Sequence, residues 1–183
     1  AGYKLGQDLF KREEIESSTD QIIWSTDGGA EIKPNRPQDS HFRGNIVQAM
    51  KNYGDGKLGE QLVPLPAVTR IIAIGSDRMM AAVRDARHGI LAPYLSHHTA
   101  IGSINAPMQC MMKEVCAQCL IRHVDPVTGV ETKPVFTCFN QDQHLDEVDF
   151  QNLNSRLRVN SVLEKLSNKG LDYLLKKQPI EMI

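Results

Sequence analysis

Three of the four cysteines in this chain fall within ten residues, Cys110, Cys116 and Cys119, and the fourth, Cys138, follows after a gap of eighteen. The pattern is C-x5-C-x2-C with a distant partner. Four thiols spaced this way point to one site that gathers them, because scattered cysteines buried as small hydrophobes do not concentrate beside charged residues such as Lys113 and Glu114. Three readings stand. A plant-type [2Fe-2S] cluster takes C-x4-C-x2-C and a remote fourth cysteine, and this loop keeps that order with one residue more. Zinc favours two facing C-x2-4-C knuckles, of which Cys116 and Cys119 supply one. The remaining reading is structural thiols. Order and spacing favour the iron–sulfur reading.

The rest of the composition narrows the class. Lys and Arg number 21 against 22 Asp and Glu, so the chain lacks the long basic face of a nucleic-acid binder, and no basic helix for a membrane surface is evident. No apolar run is long enough to span a bilayer and no secretory signal opens the chain, which reads as cytoplasmic. In that compartment clustered thiols hold metals more often than disulfides. The 183 residues suffice for a real core with a small satellite.

Taken in order, Ala1 to Leu5 leads into a helical pattern with no preceding strand, the look of a chain cut from something larger. A helix is expected from about Gln7 to Ser17, then a buried strand over Gln21–Ser25 ending at Thr26-Asp27-Gly28-Gly29, and a Pro/Asn/Asp-rich loop to Arg43. Ile46, Val47, Met50 and Tyr53 form the stripe of a helix closed by Gly54, Gly56 and Gly59. Arg70–Ile74 reads as a strand, Gly75-Ser76-Asp77 as a turn, and Arg78–Arg87 as a helix with Met79, Met80 and Val83 on its apolar side. Strand, turn and helix are half of a parallel α/β layer, in which ligands bind at the carboxyl ends of strands. Both Ser25–Gly28 and Gly75–Asp77 are expected at such an edge.

After Pro93 the texture changes. A connecting strand is expected between His97 and Ser103, followed by the cysteine loop. Ile121–Val124 and Val135–Cys138 read as strands joined through Asp125-Pro126-Val127-Thr128-Gly129. A module of this size has too little core to be secure without a staple, and a metal site is such a staple. From Asp142 the chain is polar, then helical, with an interruption at Gly170; the tail reads as a packing or docking extension. His97, His98, His123 and His144 are read as structural or surface residues, and Met79, Met80, Met108, Met111 and Met112 as packing. No phosphate loop, nucleophile elbow or carboxylate pair is present.

With Asp8-Leu9-Phe10, Ser25-Thr26-Asp27-Gly28, Ile74-Gly75-Ser76-Asp77-Arg78-Met79-Met80, the cysteine loop and Phe136-Thr137-Cys138-Phe139-Asn140 in this order, the chain resembles the ferredoxin-NADP reductase-like flavoproteins that end in a [2Fe-2S] domain. These include the electron-transfer subunit of B-type dihydroorotate dehydrogenase and the small subunit of NADH-dependent ferredoxin-NADP oxidoreductase. The resemblance covers roughly residues 3–150. It carries Ile74-Gly75-Ser76 where relatives usually have Cys-Gly-Pro.

The resemblance implies an α/β fold in three parts: a partial NAD(P)-binding domain of parallel-sheet type over 1–100, a [2Fe-2S]-type cysteine module over 101–145, and a helical extension over 146–183. It implies an NAD(P)H-dependent oxidoreductase passing electrons through FAD or FMN to the cluster and then to a partner subunit, glutamate-synthase-like or a dehydrogenase. The flavin-binding barrel has no counterpart here, so the flavin is expected mainly on a domain outside this chain, and the fragment is expected to be inactive alone. Ser25, Thr26 and Asp27 would lie by the pyridine nucleotide, Gly75, Ser76 and Met79 near its nicotinamide end, and Lys4 by the adenosine phosphate. Cys110, Cys116, Cys119 and Cys138 would hold the metal. The alternative function is a non-catalytic, zinc-stabilised interaction module with neither nucleic acid nor membrane as partner.

Overall fold

The computed structural model describes residues 1–104 and 114–177, apart from the side chains of Val159, Asn160, Ser161 and Leu163. Cys110 therefore lies outside the described residues, as do Met108, Met111 and Met112. The chain divides into two compact units, one of Ala1–Ala73 with Met79–Ile101, the other of Ile74–Arg78 with Gly102–Ile183.

The first unit is built on a parallel sheet of β1 (Gly2–Leu5), β2 (Ile23–Gly28) and β3 (Ser40–Arg43), with β2 central. The opening residues are thus a strand and not a lead-in to a helix. Nothing in four mixed residues announces β1; it exists because its backbone pairs in parallel with β2, Tyr3 opposite Thr26 and Leu5 opposite Gly28. β3 falls where the Pro/Asn/Asp-rich segment read as loop, for the same reason. The expected first helix is also shorter. Gly6–Asp8 forms a single 3-10 turn, and α1 is confined to Arg12–Ser17, because Lys11 before it sits in the left-handed region (φ +53°) and breaks the run.

Burial explains why this sheet forms. Trp24 is 0% exposed and packs with Ile22 and Ile32, covered by Tyr3, Leu9 and Ile15. The Tyr3 and Trp24 rings stand 6.3 Å apart, and the Arg12 guanidinium lies 5.7 Å from the Trp24 centroid. The approach to β3 is tied down by a polar anchor. Asp39 accepts the Ile22 N–H (2.8 Å) and two bonds from Arg36 (both 2.8 Å), and Arg36 donates in turn to the carbonyls of Glu16 and Thr19. Burial pushes the Asp39 carboxyl up, but the bonds from Arg36 and Ile22 outweigh it and hold the group below its ordinary range.

β3 passes into α2 (Ile46–Gly54) as expected from its stripe, with Asn45 capping: its side chain accepts the Gln48 N–H at 2.9 Å. Gly44 makes the junction possible. Its φ is +143°, and a Cβ there would sit 2.7 Å from both Gln48 Oε1 and the Phe42 ring. β4 (Arg70–Ile74) and α3 (Asp77–His88) occur where the sequence places them, with Met80, Val83 and Ala86 buried. β5 (Thr99–Ser103) completes the region before the cysteines, and β8 (Asp142–His144) is a further strand of the second unit.

In the second unit, β6 (Leu120–Ile121) and β7 (Val135–Phe136) pair antiparallel, Leu120 opposite Phe136 and Ile121 opposite Val135. The connection turns at Asp125, whose Oδ1 accepts from the Val127 and Thr128 N–H groups and the Thr128 hydroxyl. Ile121, Leu145, Val148, Phe150 and Leu153 are buried. The last element among the described residues is α4 (Phe150–Lys177), which runs through Gly170 without the expected interruption. One glycine costs a helix only about 1 kcal/mol, too little to stop 28 residues. Among the described residues no helix is long and apolar enough to cross a membrane.

Candidate metal and nucleotide sites

The register of β6 and β7 decides where the thiols go. Continuing it one residue beyond Leu120 and Phe136 sets Cys119 against Thr137, and the bonds confirm this: the Thr137 N–H and hydroxyl both donate to the Cys119 carbonyl at 3.2 Å. Cys138 is thereby brought to Cys119. Its backbone N–H donates to Cys119 Sγ at 3.4 Å, and its own Sγ accepts the Glu114 N–H at 3.3 Å. Both hairpin sulfurs thus receive a main-chain donor. Cys119 is buried, Cys138 half-buried and Cys116 exposed.

The backbone before β6 is bent to reach this arrangement. Glu114 (φ +65°) and Ala117 (φ +57°) are both left-handed, an expensive state for residues with a side chain. The Glu114 N–H, set by this left-handed backbone, is the one that reaches Cys138 Sγ. Burial pushes the Cys119 thiol up, but the donors at Cys138 and Thr137 outweigh it and leave the thiol lower than usual, nearer the thiolate that binds metal. Among the described residues there is no group of three His, Cys, Asp or Glu side chains placed to hold a metal; Cys110, which the sequence adds to this set, is not among those residues.

The histidine beside this module is structural. His123 is buried, with Nε2 2.6 Å from Gln143 Oε1 and Nδ1 3.4 Å from Glu147 Oε2, and the Gln143 amide donates to the Asn140 carbonyl. It ties the end of β6 to the segment entering α4. His98 accepts from Arg87 Nε at 2.8 Å, and His144 is exposed.

The nucleotide residues named from sequence fall in both units. In the first, Lys4 is level with Asp27 on neighbouring parallel strands, both exposed, while Ser25 and Thr26 lie inside β2 at 1% and 0% exposure. Met79 is half-buried on α3. In the second unit, Gly75 and Ser76 are exposed immediately before α3. Sequence reading missed His41 and Arg43 because β3 read as loop. Thr26 Oγ1 is 2.9 Å from His41 Nε2, and Arg43 donates to the Gly29 carbonyl at 2.7 Å. Burial lowers the His41 pKa, partly opposed by Glu31. The signal available was the alternation in Ser40-His41-Phe42-Arg43, a short strand inside a polar tract.

No family model matches the chain. It is 44% identical over 66 residues to the uncharacterized protein RP006 of Rickettsia prowazekii (strain Madrid E), a match covering 36% of this chain and 9% of that protein. Among solved structures it is similar to the NADH-dependent reduced ferredoxin-NADP oxidoreductase, described in connection with flavin-based electron bifurcation. The TM-score is 0.61 and the identity 19%, and the match covers 93% of this chain and 50% of that one. The chain thus spans half the length of the solved structure it matches. At this identity the likeness establishes the fold, an α/β arrangement with a parallel three-stranded sheet, a second sheet, an antiparallel pair and a C-terminal helix.

Proposed function

We propose that this chain is the nucleotide-side and iron–sulfur portion of an electron-transfer oxidoreductase. Residues 1–100 face NAD(P)H, residues 101–145 hold a [2Fe-2S] cluster, and residues 146–183 serve as an extension toward a redox partner subunit. The flavin, FAD or FMN, is assigned to a domain of the same or another chain, and the setting to a reducing, cytoplasmic compartment. The supporting observation is the pair of main-chain N–H donors on Cys119 and Cys138 sulfurs, which is how a protein stabilises thiolates around a cluster.

The donor set fits that group. Cys119 and Cys138 are its firm members, Cys116 is exposed three residues away, and Cys110 is assigned from spacing alone. A [2Fe-2S] cluster supplies one-electron transfer when bound. The chain's own part is to present thiolates and to aim N–H groups at them, that of Glu114 from its left-handed turn at Cys138 Sγ and that of Cys138 at Cys119 Sγ. On the nucleotide side, Lys4 is assigned to a phosphate, Asp27 to ribose or amide hydrogen bonding, and Ser25 and Thr26 to holding the strand end, Thr26 through His41. Gly75, Ser76 and Met79 are assigned to the nicotinamide end.

Anaerobic reconstitution with iron and sulfide tests the reading. The expected product is coloured, bleached by dithionite, and depleted of colour in Cys119→Ser and Cys138→Ser. Colourless protein carrying stoichiometric zinc would overturn it and leave the zinc-held interaction module in its place.

A further inference from the structure

Beyond Ser155, every described side chain of α4 from Arg158 onward is exposed, including large apolar ones: Val162 at 60%, Leu166 at 62%, Tyr173 at 57% and Leu174 at 62%. At about 100° per residue these four fall on one arc of the helix, about 120° wide, which also takes in Lys177 at its far end; the exposed Leu171 and Leu175 lie beyond it. Arg158, Lys165, Lys169 and Lys176 fall within about 40° of one another and border that arc on one side, with Asp172 about 20° beyond Lys165 as the one carboxylate on that flank. The near-neutral charge of the whole chain hides this row, which is why no basic helix was evident in the sequence. At the far end Lys177 stands over the Tyr173 ring, 4.8 Å from its centroid.

The charges decide what kind of surface this arc fits. A second copy packed antiparallel would set the cation row against itself, and a parallel copy would set it against Ser167, Leu171 and Glu164, a single carboxylate for the whole row. A helix lying on an anionic membrane carries cations along both edges of its apolar arc, so that each can reach the headgroups. Here the edge beyond Leu174 holds Ser167, Leu171 and Glu164. One apolar stripe with cations on one flank is the complement of a helix with an apolar stripe and a row of carboxylates on the facing flank.

We propose that residues 158–177 of α4 form a docking helix for an acidic amphipathic helix of a partner protein. The inference stands on α4 alone and does not depend on the cysteine reading.

The test is a fluorescence-anisotropy titration of the full chain, with and without iron and sulfide, using a designed three-heptad peptide with Leu at its core positions and Glu on its flanks. Binding is expected in both states and should weaken about ten-fold between about 0.05 M and about 0.5 M salt. The Lys165→Glu/Lys169→Glu variant should lose about ten-fold with helicity by circular dichroism unchanged. Because the peptide can be changed without touching the protein, a Lys-flanked version serves as the folding-independent control and should not bind. No binding of the Glu peptide, or equal binding of the Lys version, would overturn the proposal. So would binding to phosphatidylserine vesicles that the peptide does not compete away, or a dimer that Leu166→Glu dissociates.

Discussion

The β1–β2–β3 layer and the β6–β7 hairpin are assembled on opposite principles. The first is held by what it buries: Trp24, Ile22 and Ile32 lie under Tyr3, Leu9 and Ile15, with the Arg36–Asp39 pair locking the chain between β2 and β3. The second has two-residue strands, two left-handed non-glycine residues before it, and sulfur atoms as acceptors of its main-chain bonds. Val115, Val127, Val130 and Phe139 around it are exposed. A layer that stands on burial tolerates no large cavity, whereas a hairpin that bends its backbone around thiols is, on the function proposed above, completed by the cluster those thiols would hold.

This contrast can be broken by substitution. The largest effect is expected for Trp24→Ala, about 3–5 kcal/mol in denaturant unfolding, since it empties the centre of the layer. Ile121→Ala, at a fully buried position of β6, should cost about 2–3 kcal/mol in metal-free protein. A cost equal to that of Trp24→Ala would mean that the hairpin stands on burial after all.

Asp39→Ala should cost about 2 kcal/mol by leaving Arg36 and the Ile22 N–H without their acceptor. The same carboxyl sets a pH dependence. Its folded pKa lies below the unfolded value, so its contribution is complete above about pH 4 to 5 and is lost as pH falls through the folded value. An acid titration of stability should show this loss in the wild type and a flatter profile in Asp39→Ala. Asn45→Ala, which uncaps α2, should cost about 1 kcal/mol. Val127→Ser, at a site 91% exposed, should stay within about 0.5 kcal/mol.

What could be read from sequence divides along similar lines. Local periodicity revealed α2, β4 and α3, because each has its apolar pattern written within a dozen residues; turn chemistry placed the β6–β7 hairpin, but its strands are Leu120–Ile121 and Val135–Phe136 where Ile121–Val124 and Val135–Cys138 were expected. β1 and β3 were missed because Gly2–Leu5 and Ser40–Arg43 are strands only by virtue of pairing with β2, a contact no local pattern records. The first helix was drawn too long because its apolar spacing continues across Lys11, while the backbone does not. At the candidate metal site, spacing named Cys110, Cys116, Cys119 and Cys138 as one set, of which the hairpin register brings Cys119 and Cys138 together. It carried no sign of the N–H donors or of the left-handed turns at Glu114 and Ala117, since glycine does not mark either place. Thr137 was likewise silent, a hydroxyl that matters only once the register sets it against Cys119.

Hydrogen exchange on the protein before and after loading with iron and sulfide tests the central claim most directly. Loading should raise protection at the amides of Glu114, Leu120, Thr137 and Cys138 and leave Trp24, Ser25 and Thr26 in β2 unchanged. Equal protection of the hairpin amides in both states would contradict it, and would show a hairpin that is complete without any bound metal.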